Sequence, residues 1–264
     1  MSATPVPFLR STLYGDEHDL WDPAEAFHEA SRLYPALGER QAVGIARLAA
    51  SPSLQRLTAR PAHPNRHLPG LELAPAWLPA TTLRDAIELR RSRPPGPGEP
   101  LPLTALAVLL RAGYGLTGRG GRTAPSGGAL YPLDLFVVAL EVAGLDRGVW
   151  QFDPLEARLV SISSDVADLS GAVALPELVE HARAVVFLAA TFWRTRFKYG
   201  LRGYRFALLE AGHVAQNLLL AATAIDVTAL PLGGFYDARA ESLLGLDGVD
   251  RSVLYAVVLG GKPA

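Results

Sequence analysis

Residues 197–225 read FKYGLRGYRFALLEAGHVAQNLLLAATAI. From Tyr204 to Ile225 alanine and leucine dominate, which predicts a long helix packed into a core. Glu210, His213 and Asn217 recur at i, i+3 and i+7 and so share one face. Polar side chains on such a helix need hydrogen-bond partners when buried, so these satisfy one another or brace the loop before the helix. On either side lie short apolar runs rich in Val, Phe and Leu, Ala184–Phe192 and Val253–Leu259, patterned as central strands. Leu135–Leu140 is a third such run. Val227–Leu232 is a further strand candidate that ends in Gly233–Gly234, and Asp237 is placed to cap a short helix to Leu244. The layout is α+β, a central mixed sheet flanked by helices. No repeat of 20–50 residues is visible, which argues against a solenoid or propeller.

Upstream the composition changes. Residues 1–75 mix short helical patterns with prolines. Asp22 precedes Pro23, and Glu25 follows three residues later, a capping-box-like start for a helix to about Leu33. A second helix is expected from Gly38 to Ala50, and Pro61, Pro64 and Pro69 mark an irregular stretch. The chain thus divides into a helical N-terminal extension, 1–75, and a main domain, 76–264. The main domain opens with a helix from Thr82 to Arg91, a proline-rich turn over Pro94–Pro102, and a helix from Thr104 to Ala112 that is apolar nearly all round. A glycine-rich loop follows from Gly113 to Gly128.

Bulk properties narrow the function classes. A chain of 264 residues that is 49% hydrophobic and 19% charged can bury a substantial core without covalent staples. The absence of cysteine removes disulfides, thiolate metal sites and cysteine nucleophiles together, and fits a reducing compartment. A net charge of -1 gives no general attraction to nucleic acid or to an anionic membrane. Met1–Arg10 lacks the apolar stretch of a secretory signal, and Ala184–Phe192 is about half the ~20 residues that span a bilayer. The expectation is a soluble cytoplasmic protein with neither nucleic acid nor membrane as partner.

Several motifs match by letter and fail by context. Gly113, Gly115 and Gly118 spell G-x-G-x-x-G, but a dinucleotide fingerprint needs a strand before it and a helix after it, and here the order is reversed. Gly121-Arg122-Thr123 lacks the lysine of a P-loop. The pairs Glu25/His28 and Glu210/His213 have the E-x-x-H spacing of a di-iron bundle, yet Glu25 is better used as the capping partner of Asp22; no metal site is expected. No G-x-S-x-G elbow is present.

Four separated segments make chemical sense together. Arg90-Arg91-Ser92-Arg93 offers three guanidiniums and a hydroxyl suited to a phosphate, although a basic turn is also favoured at any helix C-terminus. In the segment from Arg122 to Pro132, Pro125, Ser126, Gly127 and Gly128 let backbone approach a flat ligand, and an ordinary loop feeding a strand has the same composition. Lys198 and Tyr199 precede the long helix; on residue type alone they are a surface pair at a helix start. Leu230-Pro231-Leu232-Gly233-Gly234-Phe235 is a strand ending that exposes backbone donors, or simply a turn.

In this order and at these spacings, the segments resemble the FMN-dependent nitroreductase superfamily over Leu83 to Gly261. More narrowly they resemble its SagB/ThcOx-type, McbC-like azoline dehydrogenases, and Phe27-His28-Glu29-Ala30-Ser31 is similar to that subgroup as well. The resemblance implies a nitroreductase-like fold in an intertwined homodimer with FMN at the interface. By matched position Arg90, Arg91 and Ser92 hold the phosphate and ribityl chain. Pro125, Ser126 and Gly127 approach the ring from the partner subunit, and Gly233 and Gly234 lie near its edge. Arg93 and Gln216 belong to the same cofactor set, and Lys262 stands where a longer tail often supplies a further cation. Lys198 and Tyr199 are the implied catalytic pair for oxidising a peptide- or carrier-bound thiazoline or oxazoline to the aromatic azole, beside a cyclodehydratase. An NAD(P)H-dependent nitro or quinone reductase and a non-catalytic flavin-binding scaffold subunit are the alternatives, since a fold shared with a family does not fix function.

Overall fold

Leu133–Ala139 (β3) and Ala184–Thr191 (β7) are buried at every position, and they form the middle of a seven-stranded sheet. The computed structural model describes residues 23–33, 45–48, 50–53, 65, 67–75 and 78–261. Across the sheet the order is β1 (Gly70–Glu72), β6 (Arg158–Ser163), β5 (Gly148–Asp153), β3, β7, β9 (Arg251–Leu259) and β8 (Ala229–Leu232). All of its pairings are antiparallel. This corrects the expectation of a mixed sheet. Among the described residues, parallel pairing is confined to a separate two-residue ladder, β2 (Leu101–Pro102) with β4 (Val142–Ala143). An unbroken apolar run reports cover on both faces, which parallel sheets always have; here helices cover both faces of an antiparallel one.

Alternation along the strands sorts two cores. Leu135, Val137, Val186, Leu188 and Val257 face α3 (Leu103–Tyr114) and α6 (Arg202–Ala224). Phe136, Val138, Val185, Phe187 and Ala256 face α4 (Leu169–Ala172) and α7 (Asp237–Leu244). The long helix therefore lies on one face of the sheet, as its alanines and leucines predict. No helix among the described residues is long and apolar enough to cross a membrane.

Most expected elements are present with shifted ends. α1 covers Pro23–Ala30; its expected cap Asp22 and much of Gly38–Ala50 lie outside the described residues. α2 spans Leu83–Leu89, and Thr82 Oγ1 accepts the Asp85 amide at 3.0 Å. At α7 the cap is Tyr236, and Asp237 is the first helical residue. The hairpin β5–β6 has no continuous apolar run to announce it: Gln151 interrupts one strand and serines the other. β1 pairs with β6, so residues 70–72 belong to the sheet although they precede the compositional break after residue 75.

One charge stands inside the apolar run of β3. Asp134 Oδ1 meets Arg194 Nη1 at 3.1 Å, with the two side chains only 3% and 2% exposed, and Thr191 Oγ1 donates to Asp134 Oδ2 at 2.9 Å. Arg194 belongs to α5 (Trp193–Tyr199), which begins two residues beyond β7. A buried ion pair of this kind adds little over apolar packing, but removing one partner strands the other. Asp134→Ala is therefore expected to cost about 3–5 kcal/mol. In a chain of this size that lowers Tm by roughly 10 °C, measurable by urea and thermal unfolding.

Candidate active site

α5 and α6 form a tight helical hairpin. Thr195 Oγ1 donates to Phe192 O at 3.2 Å and lies 3.1 Å from Gly203 O. A Cβ on Gly203 would sit 2.8 Å from the Thr195 carbonyl carbon, so only glycine lets the two backbones meet. Lys198 and Tyr199 are both half-buried and close α5, one turn beyond the anchored Arg194, rather than opening the long helix.

The loop before β3 comes to meet them. Ser126 Oγ accepts the Tyr131 amide at 2.9 Å, folding residues 126–131 into a short 3-10 turn. Gly128 has φ +66°, and a Cβ there would overlap the Tyr199 hydroxyl and lie 2.9 Å from Lys198 Nζ. A Cβ on Gly127 would stand 3.0 Å from the Phe206 ring, which packs edge-on against Tyr199 with centroids 4.9 Å apart. Lys198 Nζ lies 5.0 Å from the Tyr199 centroid. Two segments far apart in sequence thus form one wall within a single chain. The turn holds two non-glycine residues in the left-handed region, Ala129 at φ 55° and Tyr131 at φ 49°. Strain of this kind persists only where surrounding contacts over-determine it, and it concentrates at functional sites.

Beneath the loop lies a buried polar cluster. The Arg122 guanidinium sits 4.2 Å from the Tyr114 ring centroid and 4.8 Å from that of Tyr131, and the Arg122 amide donates to Tyr131 Oη at 3.2 Å. Tyr114 Oη donates to Glu210 Oε1, while Glu210 Oε2 and Arg122 Nη1 have no hydrogen-bond partner among the described residues. Burial raises the Glu210 carboxyl from 4.5 to about 7, against the opposing pull of Ser126, Tyr114 and the Arg122 charge. Burial, and then the neighbouring Glu210, push the Tyr114 hydroxyl well up. The shared polar face expected on α6 is therefore split. Glu210 points inward, His213 is exposed, and Asn217 Nδ2 donates to Thr123 O at 3.3 Å, bracing the loop before β3 and not the one before α6. Sequence reasoning missed Tyr114 and Arg122 as partners of Glu210; an arginine beside the Pro125–Gly128 turn was the available signal.

The basic turn and the paired glycines lie along β8. Arg90 Nη1 donates to Ser92 Oγ at 3.1 Å, and Arg91 Nη1 reaches the carbonyls of Glu88 and Arg90 at 2.7 and 2.8 Å, covering the end of α2. The Arg93 amide donates to Ala229 O at 3.3 Å, which docks the basic turn on the start of this edge strand. Gly233 and Gly234 are exposed just past its other end, about 13 Å away at ~3.3 Å per residue. Pro125 is exposed at the edge of the loop; Gln216 is exposed on α6, and its side chain makes no hydrogen bond among the described residues. Lys262 lies outside them. An anionic tail at the arginines and a flat ring at the side-chain-free glycines suit this arrangement, so the residues present fit a flavin nucleotide.

Residues 97–261 match the Nitroreductase family, and the chain belongs to it. It is 37% identical over 165 residues to MJ1384 of Methanocaldococcus jannaschii, a protein described as a nitroreductase; the match covers 61% of this chain and 83% of that one. It is 31% identical over 135 residues to the microcin B17-processing protein McbC of Escherichia coli, covering 48% of this chain and 49% of McbC. Among solved structures, the E. coli microcin synthetase McbBCD complex with truncated pro-MccB17 bound aligns over 100% of both chains with a TM-score of 0.59 at 22% identity, a likeness of fold.

Glu210 also sets a pH dependence. Its folded value lies above the unfolded one, so between about 4.5 and 7 the native state holds a proton that the unfolded chain has released. Stability from this group is complete below that window and is lost as pH rises through it. Relative to Glu210→Gln, the wild-type protein is expected to lose about 3 kcal/mol between pH 4.5 and 8, read by urea unfolding at both pH values.

Proposed function

We propose that the chain is an FMN-dependent dehydrogenase that oxidises a thiazoline or oxazoline in a peptide or carrier-bound substrate to the azole. The observation that carries this reading is the convergence of Lys198 and Tyr199 on the Ser126–Gly128 turn. A basic amine and a phenol side by side on a glycine-walled face suit proton removal next to a flat cofactor. The match to McbC, named for processing a peptide, favours a peptide substrate and a cyclodehydratase partner.

Arg90, Arg91, Ser92 and Arg93 would hold the phosphate and ribityl chain. Gly233 and Gly234 would admit the ring edge, and Pro125, Ser126 and Gly127 would reach a ring held by a second subunit. When bound, FMN would supply the two-electron oxidation as hydride acceptor, with dioxygen as the terminal oxidant. Lys198 Nζ takes the proton from the carbon alpha to the ring imine, so the substrate loses one proton and one hydride. Tyr199 Oη, held against Gly128, orients the ring or passes the proton on. A homodimer is favoured by apolar surface on the outer helices: Leu83, Ile87 and Leu89 of α2 are 69%, 55% and 66% exposed, and Leu209 of α6 is 61% exposed.

The greater identity to MJ1384 favours a second reading, an NAD(P)H-dependent nitro or quinone reductase. Mixing the yellow holoprotein with NADPH separates the two: rapid bleaching of the flavin supports the reductase, and slow or absent bleaching the dehydrogenase.

Lys198→Met is expected to lower azoline oxidation by at least about 100-fold while leaving the flavin absorbance intact. Wild-type turnover in that variant removes Lys198 from the chemistry. A purified protein that takes up no FMN removes the whole reading.

A further inference from the structure

The segment Phe27–Ser31 has no place in the chemistry above, yet it is held against the hairpin that carries Lys198 and Tyr199. Arg205 Nε donates to Ser31 Oγ at 2.7 Å, and Arg205 Nη2 donates to His28 O at 2.6 Å. Arg202 Nη1 reaches Ser31 O at 3.3 Å. Ser31 is only 3% exposed, and its hydroxyl donates back to Phe27 O at 2.5 Å. Phe27 packs edge-on against Tyr204, centroids 5.4 Å apart, and Tyr204 stacks on Phe192 at 4.6 Å.

Neither helix end is well formed alone. At the end of α1 the Ser31 and Arg32 amides donate to Phe27 O and Glu29 O, and the arginines take His28 O and Ser31 O. The first turn of α6 carries Arg202 and Arg205 with no acidic residue, placing positive charge at the positive end of the helix dipole. Set against each other, the carbonyls of one end receive the guanidiniums of the other. An eight-residue helix is marginal in water by itself, so α1 depends on this contact to stay folded. The route inward is short. Arg205 is followed by Phe206, and Phe206 touches both Gly127 and Tyr199.

We infer that Ser31 and Arg205 are positioning residues: the end of α1 clasps the start of α6 and so sets Lys198 and Tyr199 against the Ser126–Gly128 turn. The inference rests on the reading of that pair as the reacting groups. The N-terminal segment is thereby part of the site's scaffold in cis, acting through its hydrogen bonds to α6.

The test uses the full-length holoprotein and three variants, Arg205→Ala, Arg205→Lys and Ser31→Ala. The measurements are FMN content, turnover of a short thiazoline-bearing peptide, and amide hydrogen exchange over residues 23–33 and 196–203. Arg205→Ala is expected to lower kcat by roughly 10–100-fold with KM and FMN content little changed. Exchange should rise in both segments together, and Arg205→Lys should recover part of the loss. A rise confined to 23–33, with kcat and the 196–203 segment unchanged, reduces α1 to passive packing and overturns the inference, as does an effect on KM alone. If Arg205→Ala does not fold, Ser31→Ala, which removes a single hydroxyl, carries the same comparison. A wild-type protein without FMN or azoline turnover rejects the proposed function instead, and coupled exchange between the two segments still decides whether the clasp exists.

Discussion

A guanidinium shut away from water needs a carboxylate beside it, and the position of that carboxylate is set by the sheet. Asp134 stands in β3, opposite the end of β7, so Arg194 and with it the first turn of α5 are tied to the sheet's central pair of strands. Everything that follows along α5 inherits this anchor. Lys198 comes one turn after Arg194 on the same helical face, and Tyr199 comes next. The hairpin then returns through Gly203, whose missing side chain lets α6 lie against α5 with almost no freedom to slide.

The second constraint is the strained turn over residues 126–131. Backbone in the left-handed region at Gly128, Ala129 and Tyr131 is held by a hydrogen bond from the Tyr131 amide to Ser126 and by the stacked cluster of Tyr114, Arg122 and Tyr131 below. Glu210 is the price of that cluster: a carboxyl under low-dielectric cover whose burial outweighs its partners' attraction. A rigid sheet end on one side and a braced turn on the other make the wall where Lys198, Tyr199 and Gly128 meet. Sites held by such supports keep their geometry to fractions of an ångström, which is what the proposed proton transfer at carbon requires.

Much of the framework was readable along the chain. β3, β7 and β9 stand out because both faces of each are covered, and α6 because alanine and leucine serve a helix packed on a sheet. β5 and β6 were not readable. Their polar residues break the run while still fitting the sheet through neighbours that a linear scan does not show, such as Asn65 Nδ2 bonding Gln151 Oε1. The lone Asp134 in an apolar strand was a visible anomaly whose partner, sixty residues on, only the folded chain supplies.

The sequence alone determined the class of fold, the covered strands and the long helix, and through the four ordered segments it pointed to the nitroreductase family. Periodicity and local chemistry are enough for those, because they are properties of neighbours along the chain. Antiparallel pairing throughout the sheet, the meeting of Lys198 and Tyr199 with Gly128, the splitting of α6's polar residues between Glu210 inside and His213 outside, and the grip of Ser31 on Arg205 were decided only by tertiary structure. Each depends on which distant backbone comes within a few ångströms, and a contact of that range leaves no periodic mark on the residues that make it.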